Sequence, residues 1–139
     1  MIRFRMFRIS TGQFAILSTE APKGEIEITT NMELKHTNDG SAVQVNATFS
    51  FNENEQQVMI LETSCEFAMH PDDLQSLTKD GKVVIPKSVI DYFIAQTVGT
   101  ARGILHCKTE GTPFNGIIIP PLNVTNMFKE DMIIDLSDK

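Results

Sequence analysis

The side chains best suited to catalysis or metal binding lie far apart in this sequence. His36, His70 and His106 fall in three different contexts, and His106 and Cys107 are neighbours. Neighbouring side chains on a helix point about 100° apart, so this pair does not suit a metal site. We interpret Cys107 as a buried structural thiol rather than a nucleophile, because free cysteine behaves as a small apolar residue.

Two further catalytic patterns are missing from the sequence. No glycine-rich phosphate loop follows a strand pattern, and no serine lies in a nucleophile-elbow pattern. The acidic residues fall mainly on strand faces and in turns, as they do on a solvated surface. The sequence therefore predicts a protein that is not an enzyme and that holds neither a metal nor a cofactor.

The composition of the 139 residues predicts a single globular domain, 1–139, of ordinary hydrophobic content. The formal net charge of −6 opposes binding to a phosphate backbone, so no nucleic-acid partner is expected. No apolar run approaches the roughly 20 residues that span a bilayer, and residues 1–10 alternate basic and apolar types, unlike a signal peptide. We expect a cytoplasmic protein without direct membrane insertion, in which Cys65 and Cys107 are reduced.

The first half of the chain is patterned as strands and the second half as helices. Residues 2–9, 25–37 and 57–69 alternate apolar and polar side chains, which is typical of strands with one buried face. Residues 38–40 read Asn-Asp-Gly, a strong hairpin signal, and a return strand follows them. Strands that precede helices predict an α+β fold with a four-stranded antiparallel sheet of Greek-key or meander type.

Two helical elements are predicted directly after the sheet. Leu74 and Leu77 indicate one helical turn, which the Asp-Gly pair at 80–81 would end. A long helix is predicted over about 87–108, because Pro86 suits a first helical turn and the apolar residues that follow have helical spacing. This long helix is the element that should cover the sheet.

A stripe of small residues, Ala95, Gly99 and Gly103, runs along the predicted long helix at intervals of four. Each glycine inside a helix costs roughly 1 kcal/mol relative to alanine, so another interaction should offset that cost. One interpretation packs the stripe on the protein's own sheet. The other uses it for close approach of a helix from a second subunit.

The crossover loop, residues 113–123, reads PFNGIIIPPLN and precedes a predicted short amphipathic C-terminal helix over 125–136. The double proline cannot donate to a sheet ladder and excludes a long helix, so the apolar run 117–119 should be extended. One interpretation makes the loop and the helix a cover that completes the core. The other leaves their apolar side chains, including the adaptable Met127 and Met132, available to a partner.

Two stretches of the sequence resemble the SecB family of export chaperones. FRMFRISTGQFAI near the start is similar to the first strand of that family, and residues 101–128 are similar to its second half. The positions that match the family pattern are Ala101, Arg102, Gly111, Thr112, Pro121, Asn123 and Phe128. The resemblance implies a four-stranded antiparallel sheet, a long helix, a crossover loop and a second short helix, in the same order as the elements above.

The resemblance also implies a homotetramer, a dimer of dimers in which the long helices meet, and a chaperone that holds unfolded polypeptide clients for protein export. The implied client-binding groove is lined by Phe114, Ile117, Ile118, Ile119, Leu122, Met127, Phe128 and Met132, and the implied oligomer interface contains Ala95, Gly99 and Gly103. Positions that dock the SecA motor in the family fall on Ile60, Glu62 and Glu20. The acidic docking positions of the first strand fall on Gln13 and on Leu17, or on Glu20 if a gap is placed there, so only part of that surface is retained.

Other functions stay open on this scaffold. One alternative is a dedicated chaperone of a single client, such as the antitoxin of a toxin–antitoxin pair. Another is an adaptor or structural protein that keeps the fold without binding clients. An enzyme such as a hot-dog thioesterase is the remaining interpretation, although that fold places its long helix between the first strand and the others.

Overall fold

The computed structural model describes residues 2–136 and shows an α+β fold built on one four-stranded antiparallel sheet. Its elements in chain order are β1 (Phe4–Ile16), β2 (Glu27–His36), β3 (Ala42–Glu53), β4 (Gln56–Met69), α1 (Pro71–Ser76), β5 (Thr78–Lys79), β6 (Lys82–Ile85), α2 (Lys87–Thr109), a 3₁₀ turn (Val124–Asn126) and β7 (Met132–Asp135). The predicted fold class, with the sheet before the long helix and the crossover loop, is confirmed.

The strand order of the main sheet is β1-β4-β3-β2, and every neighbouring pair is antiparallel. β2, β3 and β4 form a meander, and β4 pairs on its other side with the first strand, β1, which gives the predicted Greek-key arrangement. The turn between β2 and β3 contains Gly40 at φ +77°, a left-handed conformation that glycine adopts without steric cost. The Asn-Asp-Gly signal therefore predicted this hairpin correctly.

One face of the two central strands forms the core of the protein. Alternate side chains along β3 and β4 are almost completely buried, and the intervening side chains are mostly polar and partly exposed. The alternating buried set on these strands is Val43, Val45, Ala47, Phe49, Phe51, Met59, Leu61, Thr63, Cys65, Phe67 and Met69, and Val58 is buried outside this alternation. Burying each large apolar side chain contributes roughly 1.5–3 kcal/mol, so this face is the main source of stability.

α2 covers that face with the apolar side of its 23 residues. Pro86 is its N-cap residue, and the helix ends one residue beyond the predicted limit, at Thr109. Phe93 stacks on Phe67 of β4 with ring centroids 4.3 Å apart, which joins the middle of the sheet to the first half of the helix. The long helix predicted from the sequence is thus confirmed.

The C-terminal segment departs from the helix that its sequence predicts over 125–136. It forms the 3₁₀ turn and then β7, which pairs antiparallel with β6 so that Val83 lies opposite Ile134 and Ile85 opposite Met132. In this pairing Ile134 is buried while Ile133 is exposed, a period of two that a strand satisfies and a helix does not. The prediction of a C-terminal helix is therefore wrong, because its remote partner β6 was not recognised as a strand.

The short helical turn predicted near Leu74 is present as α1. His70 is its N-cap, and the ring nitrogen Nδ1 accepts a hydrogen bond of 3.2 Å from the backbone N–H of Asp72. Asp80 and Gly81, predicted to end a helix, instead form the tight turn between β5 and β6, both at positive φ. Within residues 2–136, none of the helices is both long enough and apolar enough to cross a membrane.

Candidate polypeptide-binding groove

The floor of the candidate site is the inner face of β2, a strand at the edge of the main sheet. Its inward side chains are only half-buried, although each lies directly opposite a fully buried residue of β3. The inward set on β2 is Ile28, Thr30, Met32 and Leu34, opposite Phe51, Phe49, Ala47 and Val45. Because α2 packs on β3 and β4, this margin of the inner face is left partly open.

A cleft of about 450 Å³ lies over this margin of the sheet. Its lining combines the β2 side chain with the start of α2 and the segment 127–132, namely Leu34, Ile90, Met127, Phe128, Lys129, Glu130, Asp131 and Met132. The first four and the last of these are apolar, and Lys129, Glu130 and Asp131 form a charged rim. We call this cleft the margin groove, and its apolar base can accept apolar side chains of an extended chain.

The wall of the margin groove, residues 124–131, is fastened at both ends by Lys87. The Lys87 Nζ donates a 2.8 Å hydrogen bond to the carbonyl oxygen of Thr125, and the Lys87 backbone N–H donates one of 2.8 Å to Asp131 Oδ1. Asp131 thereby places its carboxylate at the N-terminus of α2, where negative charge is stabilised. Lys87 also pairs with Asp91 at 2.7 Å, so one lysine holds Met127 and Phe128 in an arch.

The crossover loop turns alternate isoleucines inward and outward. Ile119 is fully buried and Phe114 is 2 % exposed, whereas Ile118 is 67 % exposed and Ile117 and Leu122 are half-buried. Both interpretations of the loop hold in part, since it completes the core and also leaves apolar surface open. We therefore assign Phe114 and Ile119 to the core. Of the other six predicted groove residues, Met127, Phe128 and Met132 line the margin groove, Ile117 and Ile118 line a second cleft, and Leu122 lines neither.

A second cleft, of about 350 Å³, separates the crossover loop from the small-residue stripe of α2. Its lining is Gly99, Arg102, Gly103, His106, Asn115, Ile117 and Ile118. Ala95, Gly99 and Gly103 are exposed, and a Cβ built on either glycine would have no atom within 4 Å. The stripe therefore does not pack on the protein's own sheet, which removes one of its two interpretations.

The predicted motor-docking residues occupy two separate environments. Ile60 and Glu62 share the outer face of β4, and the Glu62 carboxylate fills the space that a side chain at Gly12 would need. Glu20 lies in the loop after β1, where its carboxylate pairs with Lys23 at 2.7 Å. The structure thus places Ile60 and Glu62 on one face and gives Glu20 a local partner of its own.

The other positions of that docking pattern lie along β1 and just after it. Gln13 is directly opposite Glu62 in the β1–β4 ladder, and Leu17 is an exposed apolar residue whose backbone N–H donates to Val58. Neither side chain carries a negative charge. The outer face therefore offers few acidic groups at the positions that the family pattern would fill.

The two cysteines differ from the sequence-based interpretation in one respect. Cys65 is buried in the core, and this burial raises the pKa of its thiol. Cys107 lies on the solvent side of α2, so the prediction that it is buried is wrong. Among residues 2–136, no group of three histidine, cysteine or acidic side chains is arranged to hold a metal ion.

Sequence reasoning missed the residues that form the base of the margin groove, Leu34 and Ile90. The alternation of β2 correctly assigned Met32 and Leu34 to an apolar face, and helical spacing assigned Ile90 to the apolar side of α2. What the pattern did not contain is the position of α2 across the sheet. A signal was nevertheless present, because a strand that begins a meander is a candidate edge strand.

Comparisons with known proteins agree with this geometry at the level of the fold. No protein-family model matches the sequence, and no curated protein matches it. The structure is similar to the SecB-like chaperone Rv1957 of Mycobacterium tuberculosis, solved in complex with a ChAD peptide from the antitoxin HigA1. The TM-score is 0.52 and the sequence identity is 14%, with 86% of this chain and 91% of the other covered.

This similarity was found by structure alone, and it covers most of both chains. It agrees with the interpretation drawn from the sequence motifs, and the neighbouring protein is a chaperone rather than an enzyme. The resemblance seen in the sequence rests on two stretches, FRMFRISTGQFAI and residues 101–128, and it implies the order of sheet, long helix and crossover loop that the structure has. The chain therefore has the fold of a SecB-like chaperone.

Proposed function

We propose that this protein is a chaperone that holds non-native polypeptide segments in the margin groove. The observation that carries the proposal is an open apolar cleft of about 450 Å³, lined on the sheet side by Leu34, the last residue in the half-buried inward row of β2. A monomer that leaves such a row uncovered exposes apolar surface that a partner can bury. Binding of exposed apolar client segments withdraws them from aggregation by mass action, and no nucleotide is required.

The chemistry of the groove suits clients of varied sequence. Met32, Met127 and Met132 line or adjoin it, and methionine adapts its shape to different apolar partners. Across residues 2–136, β2 pairs with β3 on one side, and its other edge is free. An extended client can therefore form backbone hydrogen bonds along β2, which give affinity without demanding a particular sequence.

The proposal includes a homo-oligomer, with a tetramer as the expected state. The small-residue stripe Ala95, Gly99 and Gly103 is exposed in the protomer, so a helix from a second subunit can approach it closely. Several groove copies in one assembly would bind a long client at several points, which raises the overall affinity without new contacts. The homotetramer and the interface residues are thus part of the proposed function.

Within this function we propose a dedicated client rather than general export. The structural neighbour binds a peptide of an antitoxin, which supports a client supplied by one partner protein. On the outer face Glu62 is enclosed by Gly12, Asn46 and Thr48, and no negative charge stands at Gln13 or Leu17. These features give less support to docking of the SecA motor, which remains the alternative.

The test compares two neighbouring residues of β2 that point to opposite faces. Leu34→Gln places a polar group in the base of the groove, and Lys35→Gln makes the matching change on the solvent face. We expect the wild-type protein and Lys35→Gln to suppress aggregation of heat-denatured citrate synthase, and Leu34→Gln to suppress it several-fold less. Light scattering at one oligomer per client measures the effect.

Two outcomes would contradict the proposal. If the wild-type protein fails to suppress aggregation at equimolar oligomer, the adaptor or structural alternative is favoured. If Leu34→Gln suppresses aggregation as well as Lys35→Gln does, the groove is not the binding site. A pull-down of the tagged protein from its native host, read by mass spectrometry, separates a dedicated client from a broad set of exported proteins.

A further inference from the structure

The crossover loop contains a stretch whose backbone has few partners. Residues 118–122 read Ile-Ile-Pro-Pro-Leu, and the two prolines carry no N–H group. In the part of the chain that the structure describes, the hydrogen bonds to this stretch are two, and both are donated by Arg102. Burial of Ile119 in the core and packing of the half-buried Leu122 against it are the other contacts of the stretch.

The guanidinium of Arg102 binds two successive carbonyl groups. Its Nε donates to the carbonyl oxygen of Ile119 at 2.6 Å, and its Nη2 donates to that of Pro120 at 3.2 Å. The planar fork of an arginine matches two acceptors at fixed spacing, and hydrogen bonds from a charged donor are stronger than neutral ones. Among residues 2–136 no carboxylate pairs with Arg102. The carbonyl groups of Ile119 and Pro120 accept the hydrogen bonds that its guanidinium donates.

This pair of hydrogen bonds lies directly before the wall of the margin groove along the chain. Four residues separate Ile119 from the 3₁₀ turn that begins the wall, and Lys87 then fastens the wall at Thr125 and Asp131. Arg102 holds the segment that leads into the wall, whereas Lys87 fastens the wall itself at both ends and β7 continues from it. Without Arg102 the wall would keep the contacts of Lys87 and lose the anchor that fixes the loop before it.

We infer that Arg102 is a positioning residue for client binding, which holds the crossover loop so that the groove wall stands at the correct distance from β2. This inference rests on the proposed function and adds a residue outside the groove that controls its width. Arg102 lines the second cleft instead, beside Ile118. Its effect on the client is transmitted through the backbone at Ile119 and Pro120.

The test uses a change that keeps an unbranched, flexible stem and removes the donors. Arg102→Met is compared with Lys108→Met, which removes a positive charge from an exposed position six residues further along α2. Arg102→Lys restores one donor group that can reach one of the two carbonyls. The client probe is reduced, carboxymethylated α-lactalbumin, which stays unfolded, and its dissociation constant is measured by fluorescence anisotropy.

A second measurement reports the loop itself. In a Cys107→Ser background, Ile118→Cys carries a spin label, since Ile118 is exposed and Cys65 is buried and unreactive. We expect Arg102→Met to increase the mobility of the label and to weaken client binding by roughly tenfold, which is near the lower limit for the loss of one hydrogen bond from a charged donor. Arg102→Lys should recover part of both, and Lys108→Met should change neither.

The outcomes distinguish this inference from the proposed function. A wild-type protein that does not bind the unfolded probe overturns both. A wild-type protein that binds, with Arg102→Met binding equally well or with an unchanged label, overturns the inference alone. A thermal midpoint that falls for Arg102→Met well below that of Lys108→Met, in step with the loss of binding, also overturns it, because Arg102 would then be structural.

Discussion

The central strands and the edge strand β2 carry the same alternating pattern but are covered to different degrees. Leu61 on β4 is fully buried, whereas Leu34 on β2 is half-buried and lines a groove. A helix with its side chains is about 10–12 Å wide, and strands are about 4.8 Å apart, so one helix covers about two strands. A single helix on a four-stranded sheet therefore leaves apolar margins on both sides.

The opposite margin, along β1, supports this geometric argument. Ile9 lies opposite the buried Cys65, on the same face as α2, yet it is 53 % exposed. Tyr92, on the side of α2 that meets Phe4 of β1, is also exposed. Both margins thus present apolar side chains, and on the β2 side the arch of residues 124–131 turns the margin into a groove.

The largest effect expected from this comparison is on the free energy of unfolding. Leu61→Ala removes a fully buried side chain and should lower that free energy by about 2–5 kcal/mol. Leu34→Ala makes the same chemical change at the margin and should lower the free energy of unfolding by about 1 kcal/mol or less, because the Leu34 side chain is already partly exposed to water. Urea unfolding monitored by circular dichroism measures both, and equal losses would mean that β2 is part of the core.

A smaller effect is expected from two positions on opposite sides of α2. Ala101 is fully buried against the sheet, so Ala101→Leu should overpack the core and cost about 1–3 kcal/mol. Gly99→Leu meets open space within the protomer and should leave its unfolding free energy unchanged or slightly higher, while it splits the oligomer. Size-exclusion chromatography with light scattering should show a wild-type tetramer near four times 15.5 kDa and smaller species for Gly99→Leu.

A stable wild-type monomer at micromolar concentration would contradict the second part of that prediction. So would a Gly99→Leu protein that keeps the wild-type assembly. In either case the exposed stripe would need a different explanation from a contact between subunits.

The smallest effect concerns the turn that joins the half-covered strand β2 to the fully covered strand β3. Asp39 accepts hydrogen bonds from the backbone N–H and hydroxyl of Ser41 and from the hydroxyl of Thr37, which lowers the pKa of its carboxyl to about 2. The folded-state pKa lies below the ordinary value of 3.8, so the stabilisation is complete above about pH 4 and is lost as the pH falls through 2. Because the side chain is exposed, the size should be about 1 kcal/mol or less.

Unfolding of the wild-type protein and of Asp39→Asn between pH 2 and 6 tests this expectation. The difference in unfolding free energy should be constant near pH 6 and should shrink towards zero at pH 2. A difference that grows on acidification would show that the turn does not hold the charged form of Asp39.

The sequence predicted those parts of the fold whose signals are local. The Asn-Asp-Gly turn, the alternation along β3 and β4 and the helical spacing from Ile90 to Leu105 each depend on residues a few positions apart. β7 was not predicted, because its partner β6 lies far back in the chain. The apolar residues Met127, Phe128, Met132 and Ile133 also have the spacing of an amphipathic helix. Only the tertiary pairing with β6 therefore decides between a helix and a strand in this segment.

The groove was predicted in its wall and missed in its floor. Met127 and Phe128 stood out because the first is an adaptable methionine and the second matches the pattern of the SecB family. Leu34 did not, since alternation identifies which face a side chain takes and does not report how much of that face the neighbouring element covers. Ile118 and Ile119 show the same limit, because three isoleucines in a row have no period.

The pairing of β1 with β4 has a consequence for the order in which the chain folds. Ile16 pairs with Met59 and Phe4 pairs with Met69. β1 therefore leaves the ribosome before its partner β4 and cannot pair until β4 has been synthesised. β2, β3 and β4 can zip through short turns, whereas β1 joins by closing a long loop, which is slow. During synthesis Phe4, Met6 and Phe14 are therefore exposed longer than the apolar residues of the other strands, and the nascent chain passes through a stage in which it is itself prone to aggregate.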